Sequence, residues 1–336
     1  MKLKNEIENV RAFLPNKDIV IKDNEIISLK NNEIAIIEEA YRLFDLDNEI
    51  LVLDDMNVPY IFDTNIKLIR KFSDFEVNAV KYPFIEFYYG KAPRTYGILD
   101  YKKNQKLFEV KEIIGRDIID NYIFTDDITC RNINNGEILW HFDIPTIPNN
   151  PQDDEYDKTA DWEVKKFIGV LENKLWVALN HHTIIGLDIE TGKLVHQIHD
   201  MPTFKSEWLP SAVPHSEATV IDEKSNKLIG FMWEFYWEIN PQNGEITLFD
   251  LTEDFQSQKI RNDLQDFVLT DSHIYFASHH DIKVAAFNRT TKQIDWYYAF
   301  EDNGIDYQSR IKKIDGNYEK LGVLTQENIL YIFEKE

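Results

Sequence analysis

Along most of this chain, apolar and polar residues alternate one by one in short runs that end at Asp, Asn, Gly or paired polar residues. The stretch IIGLDIETGKLVHQI (184–198) shows the unit: an alternating strand, a polar turn, and a second strand. A period of two is the signature of a half-buried strand, not of a helix. The unit recurs as YGILDYKKNQKLFEV (96–110), ITCRNINNGEILWHF (128–142), YWEINPQNGEITLFD (236–250) and VAAFNRTTKQIDWYY (284–298). Each copy has Asp or Asn at one slot: Asp100, Asn132, Asp188, Asn240 and Asn288. Four residues on come Asn104, Gly136, Gly192, Gly244 and Lys292. The first slot caps a turn through its own side chain, and the second requires positive φ. Four residues further, Phe108, Trp140, His196, Leu248 and Trp296 are mostly large and apolar, suited to wedging between neighbouring sheets.

Another strand precedes each pair: 84–89, 121–126, 174–179, 227–233 and 273–278. A weaker copy spans 49–72, and a truncated one ends the sequence at 320–336. Successive slots lie 32, 56, 52 and 48 residues apart, as in β-propeller blades with loops of unequal length. A single blade cannot bury both its faces, so the copies must stack. The expected fold is all-β: one domain over 1–336, a seven-bladed β-propeller of four-stranded antiparallel blades, with six or eight blades as alternatives. Leu3, Ile7, Val10 and Leu14 fall at helical spacing before Pro15, which predicts a short amphipathic helix over 1–15. The early strands within 18–38 are expected to pair with those of 319–333 and close the last blade.

LDIETGKLVHQI and NNGEILW resemble the blade repeat of the PQQ-like, quinoprotein-type propellers, whose pattern is Asp, Thr-Gly and a Trp four residues after the Gly. The resemblance covers 45–336 and is specific in two or three blades. It implies a propeller, in its non-enzymatic branch. The Gly-His and Trp-Asp signatures of WD40 blades and the double Gly of kelch are missing. So is the vicinal cysteine pair of quinoprotein enzymes, and no cofactor is expected.

Composition narrows the partner. The 336 residues hold 37 Lys+Arg against 59 Asp+Glu, a net charge of -22. That disfavours nucleic acid and anionic membranes, and would steer a basic protein towards the surface. Cys130, the one cysteine, sits in an alternating strand and reads as a buried thiol. Glu6 and Glu8 interrupt any apolar leader, and no run of 18 apolar residues occurs. A cytoplasmic monomer is expected.

Two histidine pairs, His181-His182 and His279-His280, fall in the middle hairpin turn of their blades, where other blades carry Asp126-Asp127 and Glu234-Phe235. The long connections 143–163 and 199–219 belong to the same face of the expected propeller. The first holds seven carboxylates, among them Asp153, Asp154, Glu155 and Asp157, together with Tyr156 and Trp162. The second carries Phe204, Trp208 and His215. Carboxylates among aromatic anchors point to a protein-binding rim for a basic partner, such as a toxin met by an immunity-type binder. The alternative is a metal-dependent hydrolase or lyase at the axial pocket, with His181, His182, His279, His280, Asp126, Asp127 and Glu234 as ligands, since imidazole and carboxylate suit Zn²⁺ or Mn²⁺. A third reading has the histidines capping turns. The stretch FMWEFYWEIN (231–240) reads as inter-blade packing, and Lys91 with Arg94 as a weak anion site.

Overall fold

The computed structural model describes residues 1–115, 117–147, 162–198, 213–304 and 310–335. Among them the alternating runs form eight four-stranded antiparallel sheets. In chain order, sheet 1 holds Val10–Leu14, Ile19–Lys22, Glu25–Ser28 and Ile34–Ile36. Sheet 2 holds Arg42–Asp45, Glu49–Leu53, Pro59–Asp63 and Leu68–Lys71. Sheet 3 runs Glu76–Lys81, Phe84–Tyr89, Thr95–Asp100 and Gln105–Val110. Sheet 4 runs Asp117–Ile119, Tyr122–Phe124, Thr129–Asn132 and Ile138–His141. Sheet 5 comprises Val164–Leu171, Lys174–Leu179, Thr183–Asp188 and Leu194–Ile198. Sheet 6 comprises Thr219–Asp222, Lys227–Met232, Phe235–Ile239 and Ile246–Asp250. Sheet 7 is built of Val268–Leu269, His273–Ser278, Lys283–Asn288 and Gln293–Ala299. Sheet 8 takes Ile311–Gly316, Lys320–Thr325 and Leu330–Glu334, with Lys2–Ile7 as its fourth strand. One short α-helix, Thr252–Gln258, follows sheet 6.

The chain divides into two compact units. One, Met1–Ile114 with Asp266–Glu336, carries sheets 7, 8, 1, 2 and 3. The other, Gly115–Gln265, carries sheets 4, 5 and 6. In both, the second and third strands of a sheet are buried nearly throughout, as in Lys174–Leu179 and Thr183–Asp188. The fourth strands are mostly exposed. Burying both faces of the middle strands requires sheet to pack on sheet. Cores accordingly span neighbouring sheets: Ile21, Ile26, Ile50 and Val52 join sheets 1 and 2, while Phe124, Cys130, Trp140, Leu175 and Leu187 join sheets 4 and 5.

The turn slots behave as their chemistry demands. Asp188 Oδ1 accepts the Thr191 backbone N–H at 2.8 Å and its hydroxyl at 2.7 Å, and the Gly192 N–H donates to the Asp188 carbonyl at 2.8 Å. Asn132, Asn240 and Asn288 make the same side-chain turn to Asn134, Gln242 and Thr290. Asn104, Gly136, Gly192, Gly244 and Lys292 all have φ between 50 and 73°. The wedge position also functions as expected. Trp140 of sheet 4 lies over the turn of sheet 5, with its indole N–H donating to the Ile189 carbonyl at 2.8 Å. A Cβ at Gly192 would stand 2.5 Å from that ring. His196 takes the same place over Gly244 and stacks on Trp176 with centroids 5.6 Å apart. In sheet 2, Arg70 holds the equivalent position, donating to Asn104 Oδ1 at 2.7 Å.

Three expectations about the first 40 residues need correction. Residues 1–15 hold no helix; they form Lys2–Ile7, Val10–Leu14 and a 3₁₀ turn. The helical spacing of Leu3, Ile7, Val10 and Leu14 comes from register shifts between Leu3 and Asn5 and between Val10 and Ala12. Each adds a residue and resets which face a strand buries. The strands within 18–38 do not pair with 319–333. They join Val10–Leu14 in a complete sheet, and Lys2–Ile7 pairs with Leu330–Glu334 instead. This additional sheet makes eight among the described residues, the alternative to seven that the sequence left open. Lys320, bonded to Asp18 and lying 3.2 Å from Glu334, ties sheet 8 to the turn between the first two strands of sheet 1. Beside it lies a cleft of about 10 Å³, enough for one water, lined by Phe13, Leu29, Gly322 and Leu330.

Gly192→Ala is expected to destabilise the protein by about 1–3 kcal/mol, because a Cβ there combines positive φ with displacement of Trp140. Urea unfolding of the variant beside wild type measures this. An unchanged midpoint would show that the Trp140 contact contributes nothing.

Candidate functional site

Within the unit of sheets 4–6, the turn joining the second and third strands of sheet 5 is His181-His182. Both residues are left-handed, with φ of 53 and 55°. The main chain on either side of the two long connections returns to this turn. On one side, the Trp162 ring meets His181 edge-on at 5.4 Å, while the indole N–H of Trp162 donates to the Ile147 carbonyl at 3.1 Å. On the other, His182 Nδ1 lies 3.1 Å from both the Val213 and Pro214 carbonyls, and Ser216 Oγ donates to the Leu179 carbonyl at 2.7 Å. A carbonyl only accepts, so His182 carries its proton on Nδ1. Lys166 fastens the following segment by donating to the Glu217 and Thr219 carbonyls.

His215 lies one step further round. Its ring stands edge-on to Trp233 at 5.5 Å, and its Nε2 is 3.3 Å from Gln265 Nε2. The Trp233 N–H donates to the Asn262 carbonyl at 2.8 Å. Asn262 is 1% exposed, and among the described residues neither polar atom of its side-chain amide has a hydrogen-bond partner; nor does the buried Nδ1 of His215. Burial pushes the His215 pKa below the usual histidine range, with His182 and Lys166 adding to the depression and Glu217 opposing it. Burial and Lys174 depress His196 in the same direction. Sequence reasoning singled out His215 but missed Trp233, Asn262 and Gln265. Only contiguity with an inserted segment could have pointed to Asn262 and Gln265, which lie between the short helix and sheet 7.

The second histidine pair, in the other unit, closes the corresponding turn of sheet 7. His279 Nδ1 lies 2.7 Å from the Ile311 carbonyl, where sheet 8 begins, and its ring meets His280 edge-on at 5.4 Å. His182 and His279 thus do the same work in two places: each fastens a middle hairpin turn to the main chain entering the next sheet.

The remaining candidate ligands have local partners too. Asp127 accepts hydrogen bonds from Thr125 and from Thr129, the latter at 3.0 Å, and lies 3.9 Å from His141. The Thr125 bond is the largest of the influences holding its pKa low. Asp126 is exposed, and the Glu234 carbonyl accepts the Leu251 N–H at 2.8 Å. Among the described residues, no three His, Cys, Asp or Glu side chains converge in a way that could hold a metal ion. Cys130 is buried in the core of sheets 4 and 5, and burial pushes its thiol up to about 12. Asp153, Asp154, Glu155, Tyr156, Asp157, Phe204 and Trp208 lie outside the described residues. Trp162, expected as an exposed anchor, is half-buried against the core of sheets 4 and 5.

No family model matches the chain, and no curated protein matches it. Solved structures do. BamB from Moraxella catarrhalis, a PQQ-like β-propeller, is similar over 99% of both chains at 10% identity, with a TM-score of 0.55. The computationally designed protein Ika8 matches over 99% of this chain and 98% of its own, at 10% identity and a TM-score of 0.56. Saccharomyces cerevisiae Sqt1, a WD40 protein, matches over 100% of both chains at 11% identity and a TM-score of 0.59. At such identities the likeness shows the fold alone, a β-propeller, in which the described residues form eight four-stranded antiparallel blades and one short helix. No described helix is long and apolar enough to cross a membrane.

Two outcomes are expected. A histidine with a depressed folded pKa is neutral in the native state when the unfolded chain already binds a proton. Its contribution is therefore complete above the unfolded value of 6.5 and is lost as pH falls through the folded value. Urea melts should show the stability gap between wild type and the His196→Gln/His215→Gln double variant shrinking as pH drops below 6.5; a constant gap would contradict the burial argument. A thiol reagent at pH 8 should label Cys130 only in denaturant, and prompt labelling of the native protein would contradict its placement in the core.

Proposed function

We propose that this chain is a non-enzymatic, acidic protein-binding propeller of the PQQ-like kind. A basic protein partner docks where the two long connections emerge, in the manner of an immunity-type binder that neutralises a toxin. The observation that carries this reading is the convergence at His181-His182. Trp162 and Ile147 belong to one connection, Val213 belongs to the other, and Ile198 immediately precedes it. All are gathered at one end of sheet 5. The described ends of the two inserted segments meet at one turn, and loops on a rigid scaffold are where recognition concentrates.

The chemistry of 143–163 sets the character of the partner. Its seven carboxylates repel one another, so a cationic neighbour relieves them. Exposed ion pairs contribute about 0.2–1 kcal/mol each, which speeds encounter more than it holds a complex. The hold falls to aromatic side chains. Trp208 is the primary anchor, while Trp162 is half-buried with its N–H tied to Ile147.

A pull-down from cells that make this chain, followed by binding kinetics on the captured partner, tests the reading. Neutralising Asp153, Asp154, Glu155 and Asp157 should slow association and flatten its salt dependence while leaving dissociation nearly unchanged. Trp208→Ala should speed dissociation, at a cost on the order of 2 kcal/mol. Binding that ignores both sets of changes would move the functional surface elsewhere.

A further inference from the structure

The fourth strands of sheets 1 and 2 are open edges of opposite character. Ile34–Ile36 ends sheet 1 in the strip Glu33-Ile34-Ala35-Ile36-Ile37-Glu38. Ile34 is 55% exposed and Ile36 is 75% exposed, the highest value among the large exposed apolar residues. Leu68–Lys71 ends sheet 2 in the strip Lys67-Leu68-Ile69-Arg70-Lys71, where Leu68 is 50% and Ile69 52% exposed. An open edge presents a row of backbone N–H and C=O groups without strand partners, and charges placed along it normally repel a second edge. Here one apolar edge is guarded by carboxylates and the other by cations. Each guard repels its own kind and attracts the other.

The basic strip belongs to a larger departure from the charge of the chain. Residues 67–111 hold ten Lys or Arg against five Asp or Glu, leaving 27 against 54 for the remainder. Two of those five acids, Glu86 and Asp100, are buried, and Glu109 is bonded to Lys106. The Lys71 ammonium lies over the Tyr60 ring at 4.7 Å, and Arg70 is held by Asn104 and by the Phe72 ring. The basic strip is thus held in place by its own sheet and the next.

We propose that this chain self-associates as a two-fold dimer in which the acidic edge of sheet 1 in each copy pairs with the basic edge of sheet 2 in the other. An antiparallel register with Glu33 opposite Lys71 sets Ile36 opposite Leu68 and places Glu38 beside Lys67. Sheets 1 and 2 are neighbours that share a core through Ile21, Ile26, Ile50 and Val52, so one two-fold axis forms both contacts at once. That repetition matters, because one pair of strands this short buries too little area to hold a dimer. The net charge of -22 opposes association, but screening at physiological salt reaches about 8 Å, while paired strands lie about 4.8 Å apart. Local complementarity therefore decides the contact. The dimer departs from the monomer expected from the sequence.

Charge exchange tests the proposal by sedimentation equilibrium on the full chain, from micromolar to submillimolar concentration. Wild type should rise towards twice the chain mass. Lys67→Glu/Lys71→Glu and Glu33→Lys/Glu38→Lys should each raise the dimer dissociation constant by about tenfold or more. An equimolar mixture of the two variants should associate again, because each reversed edge then meets its complement. All four positions are at the surface, and circular dichroism establishes that each variant is folded. Ile36→Asp supplies a route independent of the exchange and should also yield monomers. A wild type that stays monomeric, variants that associate as wild type does, or a mixture that stays monomeric would overturn the proposal.

Discussion

Burying both faces of a sheet whose middle strands are apolar throughout is the constraint on which this structure depends. A strand such as Leu175–Leu179 has no side to turn to water, so its sheet is stable only between two others. What fits one sheet to the next is a contact repeated with different chemistry. Trp140 lies over Gly192, His196 over Gly244, and Arg70 on Asn104. In each case a side chain from a fourth strand reaches the third turn of the next sheet, and the receiving residue is left-handed. The turn must be small where the partner is an indole, and it can carry an amide where the partner is a guanidinium.

The histidine turns add a second fastening at the other end of the sheets. His182 and His279 reach the main chain entering the following sheet, which fixes where that chain starts. In sheets 5 and 6 this also fixes where the inserted segments leave and return. The proposed binding surface is thus a by-product of the device that aligns neighbouring sheets. His215, half-buried against Trp233, and the side-chain amide of Asn262 mark where that alignment leaves buried polar atoms without hydrogen-bond partners among the described residues.

Much of this was legible in the sequence because it rests on local chemistry. Asp188, Asn132, Asn240 and Asn288 announce their turns through side-chain bonds that span two or three residues. The histidine pairs could be placed in middle hairpins by counting strands. The N-terminal sheet was hidden because register shifts at Leu3/Asn5 and Val10/Ala12 impose helical spacing on strand residues, and because its third turn, at Ser28 and Asn32, uses neither Asp nor Gly. Partners distant in sequence were hidden as well. Nothing near His182 names Val213, and nothing near Trp162 reveals that the Ile147 carbonyl takes its N–H. Trp162 therefore read as an exposed anchor when it is half-buried.

Sheet 8 draws its strands from opposite ends of the sequence, with Leu3 beside Phe333 and Ile7 beside Leu330. Every other sheet is assembled from one contiguous stretch of chain. During synthesis, therefore, Lys2–Ile7 leaves the ribosome long before its partner strand and must wait until Leu330–Glu334 has been made. Closing so large a loop is slow, though its entropic cost grows only with the logarithm of its length. Until then the waiting segment and the bare edge of Leu330–Glu334 are the places where another chain could enter, so the order of translation sets the period in which this protein is most open to misassembly.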